Sequence, residues 1–370
     1  MRRDGYPAAQ AVAPKLHAHF ASQAARPGAG DGEAAPVPDT DTIESVIDAA
    51  FWASLRREEG FLPRISLAYL SPEGPTQPLI FERPLPLDPG ILTRIAPAVE
   101  RAGIHLGVWH DGNQGLHVWG AARGIPQLCF VVEVAAAGLI VVKRFTGGTL
   151  SKFVNVAVLE GDQIKVVNPA VSGAADHPPL LTSLLGFDSP APSGPSVNAL
   201  VLLAVSMRGH GHGGSLLVVP SESQSWRDSI VPPVPYALSP PFSDLGRLNS
   251  TDPEKARRTI DMIGGLTAVD GAVLLTDRLE VLGFGAKIMR RKGRGQVEQV
   301  RITEPIENGI AALVHPEQLG GTRHLSAAQF VQDQRDAVAL VASQDQRFTI
   351  FEWCRQEEIV HAHRVETLLL

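Results

Sequence analysis

The chain has 370 residues, a formal net charge of -6 and a pI near 6.1. A hydrophobic share of 44% and a charged share of 19% are typical of a globular protein and exclude disorder over the whole length. The net acidity provides no broad basic field, so we expect no nucleic-acid partner. The first twenty residues lack the apolar run of a signal peptide, and the most apolar stretch is too short to cross a bilayer. We therefore expect a cytoplasmic protein without a membrane partner.

The first half of the sequence predicts an α+β domain over residues 43–170, preceded by a disordered tail over residues 1–42. Much of the tail is rich in Ala, Pro, Gly and Asp and offers almost nothing large to bury. From Ile43 the apolar residues have helical spacing, and a second helix is predicted over 91–103. Short runs typical of strands lie at 65–70, 116–121, 128–134, 138–145 and 152–167. Their close spacing predicts an antiparallel meander.

Residues 171–196 are rich in Pro, Ser, Gly and Ala and predict a linker to a second domain over residues 197–370. In the second domain, helical and strand patterns alternate. Strands are predicted at 215–220 and 272–285, a helix at about 323–334, and a final strand pair in DAVALVAS and RFTIFEW. The sequence shows no internal repeat. The fold class predicted from these patterns is α/β, with a C-terminal mixed sheet flanked by helices.

Three segments of the second half combine glycines with charged side chains. They are GHGGSLLVVP at 211–220, VDGAVLLTDRLEVLGFGAKI at 269–288 and GGTRHLSAA at 320–328. An aspartate followed by two small residues suits a carboxylate that reaches a metal or a ribose hydroxyl while the backbone approaches the ligand. Thr322 is a candidate helix cap, and the helix start with Arg323 offers donors for phosphate oxygens. Taken singly, these segments are also compatible with a strand start and a capped helix.

In this order, and followed by DAVALVASQDQRFTIF, the segments resemble the diadenylate cyclase (DAC) family over roughly residues 197–360. The resemblance implies a DAC-like nucleotide-binding domain at 197–370, Mg²⁺ or Mn²⁺ accompanying the bound nucleotide, and a homodimer, since cyclases of this family work in facing pairs. Asp270 is the implied metal ligand, and the catalytic residue of an active enzyme. The implied nucleotide-binding residues are Asp270, Gly271, Ala272, Gly321, Thr322, Arg323, His324 and Ser343.

The chain departs from the family pattern at three places. Leu325 replaces the second arginine of the Arg-His-Arg motif, Gln344 stands where the family has an acidic residue, and a long segment between Asp270 and Arg323 implies an insertion. Losing one fixed cation removes about 3 kcal/mol of transition-state stabilisation, whereas binding through the remaining donors can persist. The sequence therefore predicts a bacterial signalling sensor that binds an adenine nucleotide or a cyclic dinucleotide without turnover.

Two alternatives remain open from the sequence. One is an active diadenylate cyclase that makes cyclic di-AMP from two ATP molecules, and the other is a protein-interaction module without a small ligand. Two pairs of histidines, His210 with His212 and His361 with His363, have strand spacing that places both rings on one face. No further ligand for zinc is evident in the sequence, so a zinc site is not predicted there.

Overall fold

The computed structural model describes residues 5–26, 34–101, 103–110, 115–146, 153–168, 195–247, 253–309, 311–345 and 347–370. The chain divides into two compact units, Met1–Val167 with Leu370, and Asn168–Leu369. Each unit contains one large mixed sheet, and the described residues form six α-helices in all. The predicted mixed α/β class is confirmed at this level, whereas a DAC-like arrangement is not. In the described part of the chain, no helix has the length and apolarity needed to cross a bilayer.

The linker predicted over 171–196 lies outside the described residues, except for its last two positions. Those two, Pro195 and Ser196, begin a helix.

The part of the first unit that the structure describes has three α-helices and an eight-stranded sheet. The helices are α1 (Pro7–Ala24), α2 (Thr40–Ser54) and α3 (Pro89–Ile95). The strands are β1 (Ser66–Tyr69), β2 (Gln77–Pro86), β3 (His105–His110), β4 (Leu116–Arg123), β5 (Phe130–Ala136), β6 (Leu139–Phe145), β7 (Phe153–Glu160) and β8 (Gln163–Val166). Their order in the sheet is β2-β4-β3-β1-β5-β6-β7-β8. The predicted antiparallel meander is correct for β5 to β8, but β1 and β3 pair in parallel because the chain returns through β2 and α3.

Two helical predictions for this unit differ from the structure. Part of the segment predicted as a disordered tail forms α1, which buries Val12, Leu16 and Phe20 at helical spacing along one face and packs against α2. The helix predicted over 91–103 ends at Ile95 and continues as a 3-10 turn, because Pro97 cannot donate the hydrogen bond that another α-helical turn requires.

In its described residues, the second unit has three α-helices and a nine-stranded sheet. The helices are α4 (Pro195–Gly209), α5 (Pro253–Leu266) and α6 (Thr322–Asp333). The strands are β9 (Gly214–Val219), β10 (Tyr236–Phe242), β11 (Ala272–Thr276), β12 (Val281–Ala286), β13 (Val300–Thr303), β14 (Ala312–Val314), β15 (Val338–Ala342), β16 (Phe348–Cys354) and β17 (Ile359–Arg364). Their order is β10-β12-β11-β9-β15-β16-β17-β13-β14. Helix α6 packs its apolar face, including Ala327, Phe330 and Val331, on one face of this sheet.

The two units repeat one topology. The order β2-β4-β3-β1-β5-β6-β7 of the first unit corresponds to β10-β12-β11-β9-β15-β16-β17 of the second, with the same parallel and antiparallel pairs. In both units, one helix comes just before the first strand in chain order, which is β1 or β9. Another helix lies between the second and third strands in chain order. The second unit differs by β13, β14 and α6, which are inserted between β12 and β15. The repeat was not evident from the sequence, since one strand order is compatible with different side chains.

Candidate functional site

The candidate site lies at one end of the second sheet, where several chain segments meet. Strands β9 and β11 are parallel and begin at the same end, with Ser215 opposite Ala272. Strand β15 is antiparallel to β9 and ends there, with Ala342 opposite Gly214. The residues just before β9, just before β11 and just after β15 are therefore neighbours, although they lie far apart in the sequence.

Asp270 is exposed at this sheet end, just before β11. Its carboxylate accepts a hydrogen bond from the Lys287 ammonium and forms an ion pair with it. That hydrogen bond is the main reason why the pKa of Asp270 is lowered, and the positive charge of Arg323 lowers it further. Asp270 and the first turn of α6 are thus electrostatic neighbours.

The two small residues after Asp270 have structural roles. Gly271 has φ +113°, and a Cβ atom there would lie 2.4 Å from the carbonyl carbon of Gly285, so this position requires glycine. Ala272 is 2% exposed and belongs to the core that packs against α6. Its side chain points into the core, so Ala272 has a packing role, and its predicted part in nucleotide binding stays a prediction.

The first turn of α6 has no side-chain cap. The N-cap residue is Gly321, which has no side chain to accept a hydrogen bond, and not Thr322 as predicted. Thr322 is exposed as the first helical residue. Uncapped N–H groups in the first turn, together with the helix dipole, favour an anion at this position.

Arg323 extends over a glycine turn at the same sheet end. One guanidinium nitrogen lies 3.3 Å from the position that a Cβ atom on Gly213 would occupy, and Gly213 has φ +68°. The two nearby carboxylates have other partners, since Asp270 pairs with Lys287 and Asp345 pairs with Arg347. No described residue forms an ion pair with Arg323.

His324 has a different environment from its neighbour. Its side chain is buried, with Nε2 3.4 Å from Thr349 Oγ1. Burial lowers the pKa of His324 to about 4, so the ring is neutral at pH 7. A Cβ atom on Gly320 would lie only 2.5 Å from its Nδ1, so the ring also fills the space beside Gly320. The structure gives His324 a packing role beneath the helix start and provides no charge for phosphate.

Ser343 lies in the turn between β15 and β16. Its hydroxyl donates to the carboxylate of Asp345, and its backbone N–H donates to the Arg347 carbonyl at 2.9 Å. Asp345 Oδ2 lies 3.2 Å from Arg347 Nε. The Ser343 hydrogen bond is the largest cause of the lowered pKa of Asp345. These contacts fix the turn that borders Gly213.

An open cavity of about 420 Å³ lies beside α6, along the face that follows Arg323. It is lined by Ile288, Arg290, Gln296, Leu325, Ser326 and Gln329. Leu325, which departs from the arginine expected by resemblance, contributes an apolar wall. Ser326 lies in the GGTRHLSAA segment but was not selected there, and Gln296 and Gln329 lie in no motif, because the cavity depends on the path of the chain between β12 and β13.

The fold and the site together define a two-unit mixed α/β protein with a charged sheet end and an adjoining cavity in its second unit. A family model described as "Probable sensor domain DACNV" matches residues 32–123, which is well under half of the chain and lies in the first unit. This match is consistent with a sensor role. No curated protein matches the chain.

One similar solved structure is described as "the crystal structure of the hypothetical membrane spanning protein from Bacillus cereus". The sequence identity is 17%, the alignment covers 46% of this chain and 63% of that chain, and the TM-score is 0.29. The alignment thus covers less than two thirds of that protein, and the likeness is too weak to carry an argument.

The comparison corrects the resemblance drawn from the second half of the sequence. The family model that matches is DACNV and not a diadenylate cyclase family, so the identification as a DAC-family member is wrong. The motifs that suggested it are short, and the glycine of the Asp-Gly-Ala motif has a local structural cause, because a side chain at Gly271 would clash with the backbone of Gly285. Such requirements recur in unrelated folds.

Proposed function

We propose that the chain is a sensor whose second unit binds a nucleotide at the end of its sheet. The phosphates occupy the first turn of α6, and the nucleoside enters the adjoining cavity. The observation that carries this proposal is Arg323, a cation without an ion-pair partner among the described residues, at a helix start without a side-chain cap.

The charges at the sheet end support an anionic ligand. A cation at the N-terminal end of a helix is repelled by the helix dipole. The Asp270 carboxylate, which interacts with Arg323, is itself paired with Lys287, so a further anion close to the helix start and to Arg323 would be stabilising. Phosphate oxygens suit this position because they accept from backbone N–H groups and from a guanidinium at the same time. The glycine turn at Gly213 brings the guanidinium close to the backbone without side-chain obstruction.

The cavity supports the nucleoside part of the ligand. Its volume of about 420 Å³ lies within the range of small-molecule sites. Ser326 lies about 5 Å along the helix axis from Arg323, so one nucleotide can reach from the helix start into the cavity. Ile288 and Leu325 provide apolar contact for a base, and Arg290 provides a second cation. The Gln329 amide oxygen accepts a hydrogen bond from the Val297 N–H at 2.9 Å, and the side chain forms part of the cavity wall.

The contacts of Asp270 do not favour a catalytic metal there. One carboxylate oxygen is paired with the Lys287 ammonium, whose positive charge disfavours a second cation beside it. Asp270 is also absent from the cluster of potential metal ligands found among the described residues. We therefore propose binding without Mg²⁺- or Mn²⁺-dependent turnover, as expected for a sensor.

Calorimetric titration with ATP and with cyclic di-AMP tests the proposal. We expect at least one of them to bind the wild type, and Arg323→Ala to weaken binding by about tenfold to a hundredfold through loss of charge-assisted hydrogen bonds. Arg355→Ala is the matched control, because Arg355 is an exposed arginine that pairs with Asp336 just beyond the far end of β16.

Two results contradict the proposal. The first is the absence of binding at millimolar nucleotide, and the second is equal affinity in the Arg323→Ala and Arg355→Ala variants. The bound nucleotide should also be recovered unchanged by chromatography after incubation with Mg²⁺ or Mn²⁺. Conversion to a product refutes the claim of binding without turnover and leaves the location of the site intact.

A further inference from the structure

Three potential metal ligands converge on the hairpin formed by β16 and β17. His361 and His363 are two residues apart on β17 and therefore share one face of the sheet. Glu352 on β16 lies directly opposite His361 in the register of the hairpin. One ligand atom from each of these three side chains lies within 4.8 Å of the other two.

His363 is held in an orientation that suits a ligand. Its side chain is 1% exposed, and Nδ1 lies 2.7 Å from Thr303 Oγ1 on the adjacent strand β13. Its other nitrogen, Nε2, lies 2.9 Å from Glu352 Oε1. Proteins orient metal-binding imidazoles by a hydrogen bond on the ring nitrogen that does not bind the ion, and the contact of Nδ1 with Thr303 can serve as that bond.

His361 and Glu352 are partly exposed, so an ion can enter from solvent. Glu357 lies close by, with Oε2 3.2 Å from His361 Nε2, but the same carboxylate also pairs with Arg301. Because Arg301 neutralises Glu357, we do not count Glu357 as a ligand. Three protein ligands remain, with a fourth position for water.

We propose that Glu352, His361 and His363 form a Zn²⁺-binding site. Two imidazoles and one carboxylate with an open fourth position are a ligand set that zinc uses in proteins. Tetrahedral coordination places the ligand atoms about 3.4 Å from one another. The present separations include 2.9 Å between His363 Nε2 and Glu352 Oε1 and do not exceed 4.8 Å, so side-chain rotations on a fixed hairpin that widen the short contact and adjust the others would admit the ion. The alternative is a hydrogen-bonded cluster that stabilises the hairpin without an ion.

The test uses the full chain, free of any purification tag, stripped with EDTA and dialysed. Calorimetric titration with ZnCl₂ should show one ion per chain. Glu352→Gln and His361→Ala should each weaken zinc binding by about tenfold or more. Glu352→Gln is nearly isosteric and keeps a hydrogen-bond acceptor for His363, so this variant should remain folded. Weaker zinc binding by this variant would therefore reflect the lost carboxylate and not unfolding. Circular dichroism confirms that each variant is folded.

His212→Ala is the matched control. His210 and His212 have the same spacing, with ring centroids 5.9 Å apart, but His210 Nε2 contacts the Thr267 hydroxyl at 3.0 Å, and no carboxylate of the described residues forms a ligand cluster with the pair. Zinc affinity should be unchanged in this variant. The proposal is overturned if the stripped wild type takes up no zinc, or if Glu352→Gln binds zinc as tightly as the wild type. Co²⁺ added in place of zinc should give the visible absorption of a four-coordinate site in the wild type and not in Glu352→Gln.

Discussion

At the scale of single residues, Arg323 and His324 show how one helix start places adjacent side chains in opposite environments. Arg323 is half-buried and extends over Gly213, whereas His324 lies beneath the helix, close to Thr349. The charged side chain therefore remains available to a ligand, and the imidazole contributes to the core. A sequence motif that contains both residues does not show which one faces a ligand and which one packs in the core, because this depends on the direction of each side chain.

His324 should make the stability of the protein depend on pH. Its pKa is about 4 in the folded state against 6.5 for the free side chain, so between these values the unfolded state binds a proton that the folded state excludes. The free energy of unfolding should decrease as the pH falls from about 6.5 to 4, by at most about 1.4 kcal/mol per pH unit from this group. Urea unfolding of the wild type and of His324→Gln at several pH values measures the difference.

His19 and His105 also have pKa values lowered to about 4 by burial, and both remain in the variant. The difference between the two pH profiles therefore isolates His324. His212→Gln, a change at an exposed ring, should keep the wild-type profile. If the free energy of unfolding changed with pH in the same way for the wild type and His324→Gln, the buried ring would bind a proton as readily in the folded state as in the unfolded state.

The sequence indicated where the charged residues lie, but not what each one does. Asp270 and Arg323 were selected from separate motifs, and the structure brings both to one sheet end because β9 and β11 are parallel. Ala272 was selected by the same reasoning and faces the core. Glu352 was missed as a partner of His361, because only the register of β16 and β17 places the two opposite each other.

At the scale of elements, most strands with continuous apolar runs were predicted, whereas the proline-containing strands and the short strands β13 and β14 were not. Strand β2 contains Pro78, Pro84 and Pro86, and β10 contains Pro240 and Pro241. Both are edge strands, which pair on one side only and tolerate a residue without an N–H donor. The parallel pairing of β1 with β3 was also missed, since local patterns do not specify which distant strands become neighbours.

Helix α2 should depend on its N-cap. The Asp39 carboxylate accepts from the Thr42 N–H at 2.8 Å, so Asp39→Ala should cost about 1 kcal/mol of local stability. Amide hydrogen exchange in peptides covering α2 should then become about fivefold faster. Asp41→Ala is the control, because Asp41 is also acidic and in the first turn but does not cap the helix. Equal effects of the two changes would indicate that charge, and not the capping hydrogen bond, stabilises this end.

At the scale of the whole molecule, each unit has its own sheet and the two proposed sites lie in the second. A fragment of residues 168–370 should therefore fold and bind both nucleotide and zinc with affinities close to those of the full chain. The fragment contains the core between α6 and the second sheet, which the first unit does not supply. Circular dichroism and the same titrations measure the outcome. A folded fragment without binding would show that the first unit completes the sites.

The repeated topology has a consequence for how the chain reaches its native state. When the whole polypeptide refolds at once from denaturant, β1 and β9 compete for equivalent neighbours, and a strand from one half that pairs with the other half produces a trapped, misassembled species. Synthesis from the N-terminus avoids this competition, because the first half can fold before its counterpart leaves the ribosome. The inserted β13, β14 and α6 also distinguish the halves, since a helix that covers the wrong sheet meets side chains that do not fit its apolar face.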